Sequence, residues 1–260
     1  MIKSTLAAIA LSCALVGNAG AHDTFLWPSS FAPRVDEEIT LSLSSTARFP
    51  AQETPIAKAR IDIMQAPANA SRWSPEIARE AARALELPVS FHEPGLYLLN
   101  VALAPRDIEI EADEAAHYFH EIGAPRTTRA AYEALPEPRL MRETYTKYIS
   151  VFICVAPCAT TEYTQLSIGA DLEFVPIEMN AAPLRRFRLM ARANPVPGLQ
   201  VTVTTMQSAR FLVTTEPDGA FSLPPDVRGP VLLSAAILRP PVSDAARWTS
   251  DFATLSFLAP

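Results

Sequence analysis

The stretch Ile39-Thr40-Leu41-Ser42-Leu43-Ser44 alternates apolar and polar side chains with a period of two. Successive side chains of an extended chain point to opposite faces, so this pattern predicts a strand with one face buried and one face wet. Working outward from it, similar short runs recur at Ile61/Ile63, Val89/Phe91, 96–103, 148–155 and 172–177. Others follow at Val201/Val203, Phe211/Val213, Phe221/Leu223, 231–237 and Leu255/Phe257. So many short strands at close spacing predict a mainly β protein with antiparallel β-sandwich architecture. The 24 prolines and 8 glycines suit punctuated connections between short strands better than long helices.

Helical pattern is limited to three places. Residues 75–87 carry Ser74 as N-cap, Pro75 at the first helical position, and Ile77, Ala81 and Leu85 on one face. Residues 113–122 form a second helical stretch that Gly123 stops, and 128–135 a third that ends at Pro136. All three lie between strand groups and read as short helical insertions on a sandwich. A boundary falls near Ala181-Ala182-Pro183, because the strand pattern restarts at Arg186. The predicted organisation is a leader at 1–21, an N-terminal sandwich with helical insertions at 22–182, and a C-terminal sandwich at 183–260.

The leader has a short positive start at Lys3, an apolar core at 6–16 and an Ala19-Gly20-Ala21 cleavage site. It predicts export to the periplasm, with His22 as the first residue of the mature chain. No later run of about 18 apolar residues predicts a membrane span. Net charge is −6, and loss of Lys3 with the leader makes it −7, which argues against nucleic acid or an anionic membrane as partner. Of three cysteines, Cys13 leaves with the leader; Cys154 and Cys158 remain, and an oxidising compartment favours a disulfide between them.

Cleavage before His22 would place an α-amino group and an imidazole on one residue, a two-nitrogen chelate suited to Cu(II) or Ni(II). The chelate requires a second ligand folded beside it. His117 and His120 are three apart on the 113–122 helix and share one face, which can serve a metal or form a solvated polar surface. His92 precedes Glu93-Pro94-Gly95 and reads as a polar turn residue. The acidic residues Asp107, Glu109, Glu111, Asp113 and Glu114 read as the wet side of a strand entering a helix. The chain lacks G-x-S-x-G, H-E-x-x-H, C-x-x-C and a glycine-rich phosphate loop, so no catalytic residues are assigned.

Several patches, in order along the chain, resemble one family. They begin with Ala21-His22-Asp23-Thr24-Phe25-Leu26-Trp27-Pro28 and Glu93-Pro94-Gly95-Leu96-Tyr97. Residues 119–123, Arg142-Glu143-Thr144-Tyr145 and Gly169-Ala170-Asp171-Leu172-Glu173-Phe174-Val175-Pro176 follow, and Trp248 to Phe257 resembles the closing strand. The family is the NikM-like group of exported bacterial domains of unknown function, labelled nickel-uptake substrate-specific component. The segment around Thr214-Thr215-Glu216-Pro217-Asp218-Gly219-Ala220-Phe221 is similar to an Ig-like or transthyretin-like module. The resemblance implies an exported protein of two Ig-like β-sandwich modules, linked by its label to transition-metal uptake. Ala236-Ile237-Leu238 departs from the family, which often has a histidine there.

The functional expectation is a non-enzymatic periplasmic protein that binds or delivers a transition metal (nickel, copper or cobalt) as an accessory to uptake. Its ligands would be His22, His117 and His120, and its partner an envelope transport protein. The alternative is an Ig-like envelope module that binds a partner protein without metal. An oxidative copper enzyme ranks behind both, since no second histidine or axial tyrosine can be assigned.

Overall fold

The computed structural model describes residues 22–66, 70–156, 167–177, 184–243 and 247–260. The leader at 1–21, the boundary at 181–183 and Cys158 lie outside the described residues, and with Cys158 lies the bridge predicted for it. Among the described residues the protein is mainly β, with several antiparallel sheets and two short α-helices, consistent with a β-sandwich.

A first sheet runs in the order β1 (Asp23–Pro28), β2 (Ile39–Thr46), β7 (Leu85–Phe91) and β5 (Ala70–Ser71). The short strands β3 (Thr54–Pro55) and β6 (Arg79–Glu80) pair with β2 and β7. The 39–44 alternation lies in β2, where Ile39, Leu41 and Leu43 are buried. A central sheet of seven strands begins with β4 (Ile61–Gln65), β8 (Gly95–Glu111) and β9 (Leu140–Val155). A small third sheet contains β10 (Glu173–Pro176), β11 (Arg186–Ala191), β12 (Asn194–Pro195) and β15 (Ala220–Ser222). The central sheet is completed by β13 (Gln200–Thr205), β14 (Arg210–Thr214), β16 (Gly229–Arg239) and β17 (Trp248–Ala259). Its spatial order is β14-β13-β16-β17-β9-β8-β4, so it takes strands from both sides of residue 183. Every pairing in it is antiparallel except that of β17 with β9, which is parallel from Trp248/Glu143 to Ser256/Val151.

The central sheet is buried on both faces. Leu99, Val101 and Leu103 of β8 and Ile149, Val151 and Ile153 of β9 pack against Leu26, Leu41, Leu43, Leu85 and Leu87 of the first sheet. On the other face, Leu98 and Phe152 join Val203, Leu233, Leu255 and Phe257, against Phe187 and Leu189 of β11 and Phe221 of β15. Strands buried on both faces read as near-continuous apolar runs, which explains why 96–103 is apolar except at Asn100, whose buried amide donates to the Ile149 carbonyl and to Ser150 Oγ.

Helices α1 (Ala112–Glu121) and α2 (Arg126–Glu133) match the second and third helical predictions. They cover the rest of the face that the first sheet covers. Tyr118, Phe119 and Tyr132 pack there on Met141 of β9, Ala236 and Leu238 of β16, and Trp248 of β17. At Gly123 the chain leaves α1 with a φ of 63°, the left-handed conformation that glycine takes without strain.

The predicted helix at 75–87 does not form. Ser74 caps the backbone N–H of Glu76 at 3.2 Å, but only a single 3-10 turn at Pro75–Ile77 follows. Leu85 and Leu87 pair instead with Leu43 and Leu41 of β2 and become fully buried, while Ile77 remains 38% exposed. Cross-sheet burial of the leucines outweighs the local helical pattern, as tertiary context commonly does.

Candidate functional site

A cavity of about 30 Å³, lined by both charged and apolar side chains, lies where the two coverings of the central sheet meet, between the start of β1 and the end of α1. Each water needs roughly 10–15 Å³ of such space, so the cavity holds about two waters or an ion with a small ligand. His22 and Asp23 form one side of it, and Glu121 and Ile122 of α1 another. Lys147, Thr202, Ser234, Phe252 and Arg210 also line it.

The chain at the start of β1 is held firmly on the sheet. Lys147 donates from Nζ to the His22 carbonyl oxygen at 2.8 Å and to Thr24 Oγ1 at 2.9 Å. Thr254 Oγ1 donates to the Thr24 carbonyl oxygen at 2.6 Å. The Lys147 ammonium also lies 5.7 Å from the Tyr145 ring centre and 5.5 Å from that of Phe252. Burial lowers the Lys147 pKa to about 8, against the opposing pull of Asp23. Burial likewise raises the Asp23 carboxyl, offset in part by Arg210, Lys147 and a hydrogen bond with Ser234.

The end of α1 is anchored from beneath. Glu143 is fully buried, and its Oε1 accepts from Tyr118 Oη at 2.8 Å and from Ser250 Oγ. Desolvation raises the Glu143 pKa, and these two donors oppose the rise. Arg129 of α2 donates to the carbonyls of Ala124 at 2.9 Å and Phe119 at 3.3 Å, tying α2 to the end of α1; the Phe119 carbonyl also accepts from the Ala124 N–H at 2.9 Å. At Gly123 the backbone approaches β13 so closely that a Cβ would stand 2.6 Å from Gln200 Nε2.

Of the three predicted ligands, His22 lines the cavity. His117 and His120 lie on the exposed side of α1, opposite Ala115, Tyr118 and Phe119. His117 Nε2 sits 3.2 Å from Glu121 Oε1, so it reaches the cavity wall through that carboxylate. His92 pairs with Asp36 at 2.7 Å on an exposed turn. Among the described residues, no three His, Cys, Asp or Glu side chains form a group that could hold a metal ion. A chelate through both nitrogens of His22 with one carboxylate needs only two residues, and the cavity wall holds His22 and Glu121.

Sequence reasoning missed Asp23, Glu121, Lys147 and Arg210. For Lys147 a signal was present. It shares strand parity with Ile149, Val151 and Ile153, and therefore faces inward with them. Glu143 shares the same parity.

Fold and cavity together define a β-sandwich protein with a small charged seat beside its first strand. Over residues 19–238 the chain matches the family described as a domain of unknown function, DUF4198, and it belongs to that family. No curated protein matches it. Among the described residues, no helix is long and apolar enough to cross a membrane.

Proposed function

We propose that this is an exported, non-enzymatic periplasmic protein that binds a transition metal (nickel, copper or cobalt) and hands it to an envelope uptake system. The observation that carries the reading is the place of His22 on a cavity that Glu121 also lines. After cleavage, its α-amino and imidazole nitrogens would supply two donors, with the Glu121 carboxylate as third. An α-amino group at the end of a peptide ordinarily titrates at about 7.7–8.0, so a metal can displace its proton near neutrality. His117 would orient Glu121 through the 3.2 Å approach of its Nε2 to Glu121 Oε1, as partners behind a ligand commonly do. His120 would remain at the surface. Lys147 serves by fixing the His22 carbonyl, which limits the freedom that the chelating residue loses on binding. The resemblance to NikM-like exported domains, with an Ig-like second module, supports the same reading.

The test is to secrete the protein with its own leader, establish the new terminus by mass spectrometry, and titrate Cu(II) and Ni(II). Binding of one ion, weakened at least about tenfold by His22→Ala and by one extra residue before His22, is the expected result. Equal affinity in all three forms overturns the chelate and favours a metal-free interaction module.

A further inference from the structure

The central sheet ends at β14, and that edge is open. The Thr205 N–H donates to the Ala209 carbonyl and the Thr215 N–H to the Leu199 carbonyl, both at 3.0 Å. Hydrogen-bonded pairs alternate along an antiparallel ladder, so in the register of β13 with β14 the main-chain groups of Phe211 and Val213 turn to β13. Those of Arg210, Leu212 and Thr214 turn outward, and among the described residues no main-chain hydrogen bond reaches them. Such a row of unpaired donors and acceptors is a template for another strand, and proteins ordinarily blunt it by shortening, bulging, charging or covering the edge.

The other edges are blunted in these ways. Strands β5, β10, β12 and β15 run only two to four residues. At the opposite side of the central sheet, β4 has a bulge between Ile61 and Ile63. The start of β1 is tied down on β9 and β17 by Lys147 and Thr254. By contrast, β14 has five residues in unbroken register, with no proline, glycine or carboxylate. Its one charge, Arg210, is drawn back over the cavity, where it favours the ionised form of Asp23. Leu212 stands 60% exposed at the middle of the strand, with Phe211 and Val213 partly buried on the other face.

Any extended segment can make the main-chain bonds, and the side chains narrow the choice. In a two-fold antiparallel pairing centred on Leu212, Leu212 meets Leu212 of the second copy, Phe211 meets Val213, and Arg210 meets Thr214. Apolar residues then match on both faces and no like charges oppose one another, while an aromatic opposite a β-branched residue is a favourable cross-strand pair. We propose that β14 is the interaction edge for a second copy of this chain, added strand to strand about Leu212 so that one continuous sheet crosses a two-fold dimer. This needs neither His22 nor a metal. One short strand from each copy buries less than the roughly 1,200 Å² of a standard interface, so the dimer is weak, with a dissociation constant on the order of 10 µM.

The test is sedimentation velocity of the secreted protein in a chelating buffer, from about 1 to about 300 µM, a range that brackets an association of this strength. Wild type should pass from monomer to dimer. Leu212→Lys and Leu212→Glu each set like charges face to face at the two-fold axis and should weaken association at least about tenfold. Leu212 is exposed, and unchanged circular dichroism spectra would establish that both variants are folded. Mixed in equal amounts, the two variants should associate at least about fivefold more tightly than either alone, because opposite charges meet only where position 212 meets itself. A wild type that stays monomeric throughout overturns the proposal and leaves the edge to a strand of another protein. A dimer that both variants preserve overturns it as well, since the contact then lies elsewhere. Two monomeric variants that do not associate on mixing overturn the pairing about Leu212.

Discussion

Replacing Tyr118 by Phe removes one oxygen from the anchor beneath α1 and leaves the ring in place against Phe119 and the sheet. The hydroxyl donates at 2.8 Å to Glu143, and both residues are buried, at 2% and 0% exposure. A hydrogen bond to an ionised group contributes about 1.5–3 kcal/mol, and one between neutral groups about 0.5–1.5 kcal/mol. Which figure applies depends on the Glu143 proton. Burial raises its pKa above the usual 4.5, so Glu143 adds stability below that value and loses it as pH rises through the folded-state pKa. The Tyr118 hydroxyl favours the ionised form and therefore offsets part of that loss. Tyr118→Phe should cost about 1.5–3 kcal/mol once Glu143 is ionised and about half as much in acid. In thermal terms the larger cost is roughly 3–12 °C for a protein of this size. Urea unfolding of wild type and variant at pH 5 and pH 8 measures both values. A penalty under about 0.5 kcal/mol at pH 8, or one larger at pH 5, would refute the assignment of Glu143 as a buried carboxyl stabilised by Tyr118.

Two further outcomes are expected. Gly123→Ala would force a side chain into a φ of 63° and against Gln200, so it should lower stability by about 1–3 kcal/mol in denaturant unfolding; an unchanged midpoint would contradict the close approach of α1 to β13. Glu53 accepts from Thr46 Oγ1 at 2.8 Å, from the Ala47 N–H at 3.0 Å and from Arg48, and these hold its pKa at about 2. Its folded pKa is depressed, so its contribution is present above 4.5 and lost as pH falls through 2. Glu53→Gln should lower the melting temperature at neutral pH, with the two melting curves converging near pH 2.

Much of the architecture was legible in the residues themselves. The period of two at 39–44 identified β2, the mostly apolar run at 96–103 belongs to a strand buried on both faces, and Gly123 marked the end of α1. These signals are local, because strand and helix periodicity are written within a few neighbouring positions. At 75–87 the local signal pointed to a helix, and the pairing of Leu85 and Leu87 with β2 decided otherwise. His22 stood out by its chemistry before its surroundings were known. The carboxylates and cations around it did not, since Glu121, Lys147 and Arg210 are far from it along the chain, Asp23 is its direct neighbour but alternates to an unseen face, and each is an ordinary charged residue there. The parallel pairing of β17 with β9 and the docking of α1 beside β1 bring them to one cavity. Sequence by itself determined most of the strands, helices α1 and α2, and the one distinctive candidate ligand. Tertiary structure alone decided which charges face inward beside it, because that depends on the register and stacking of strands distant in the chain.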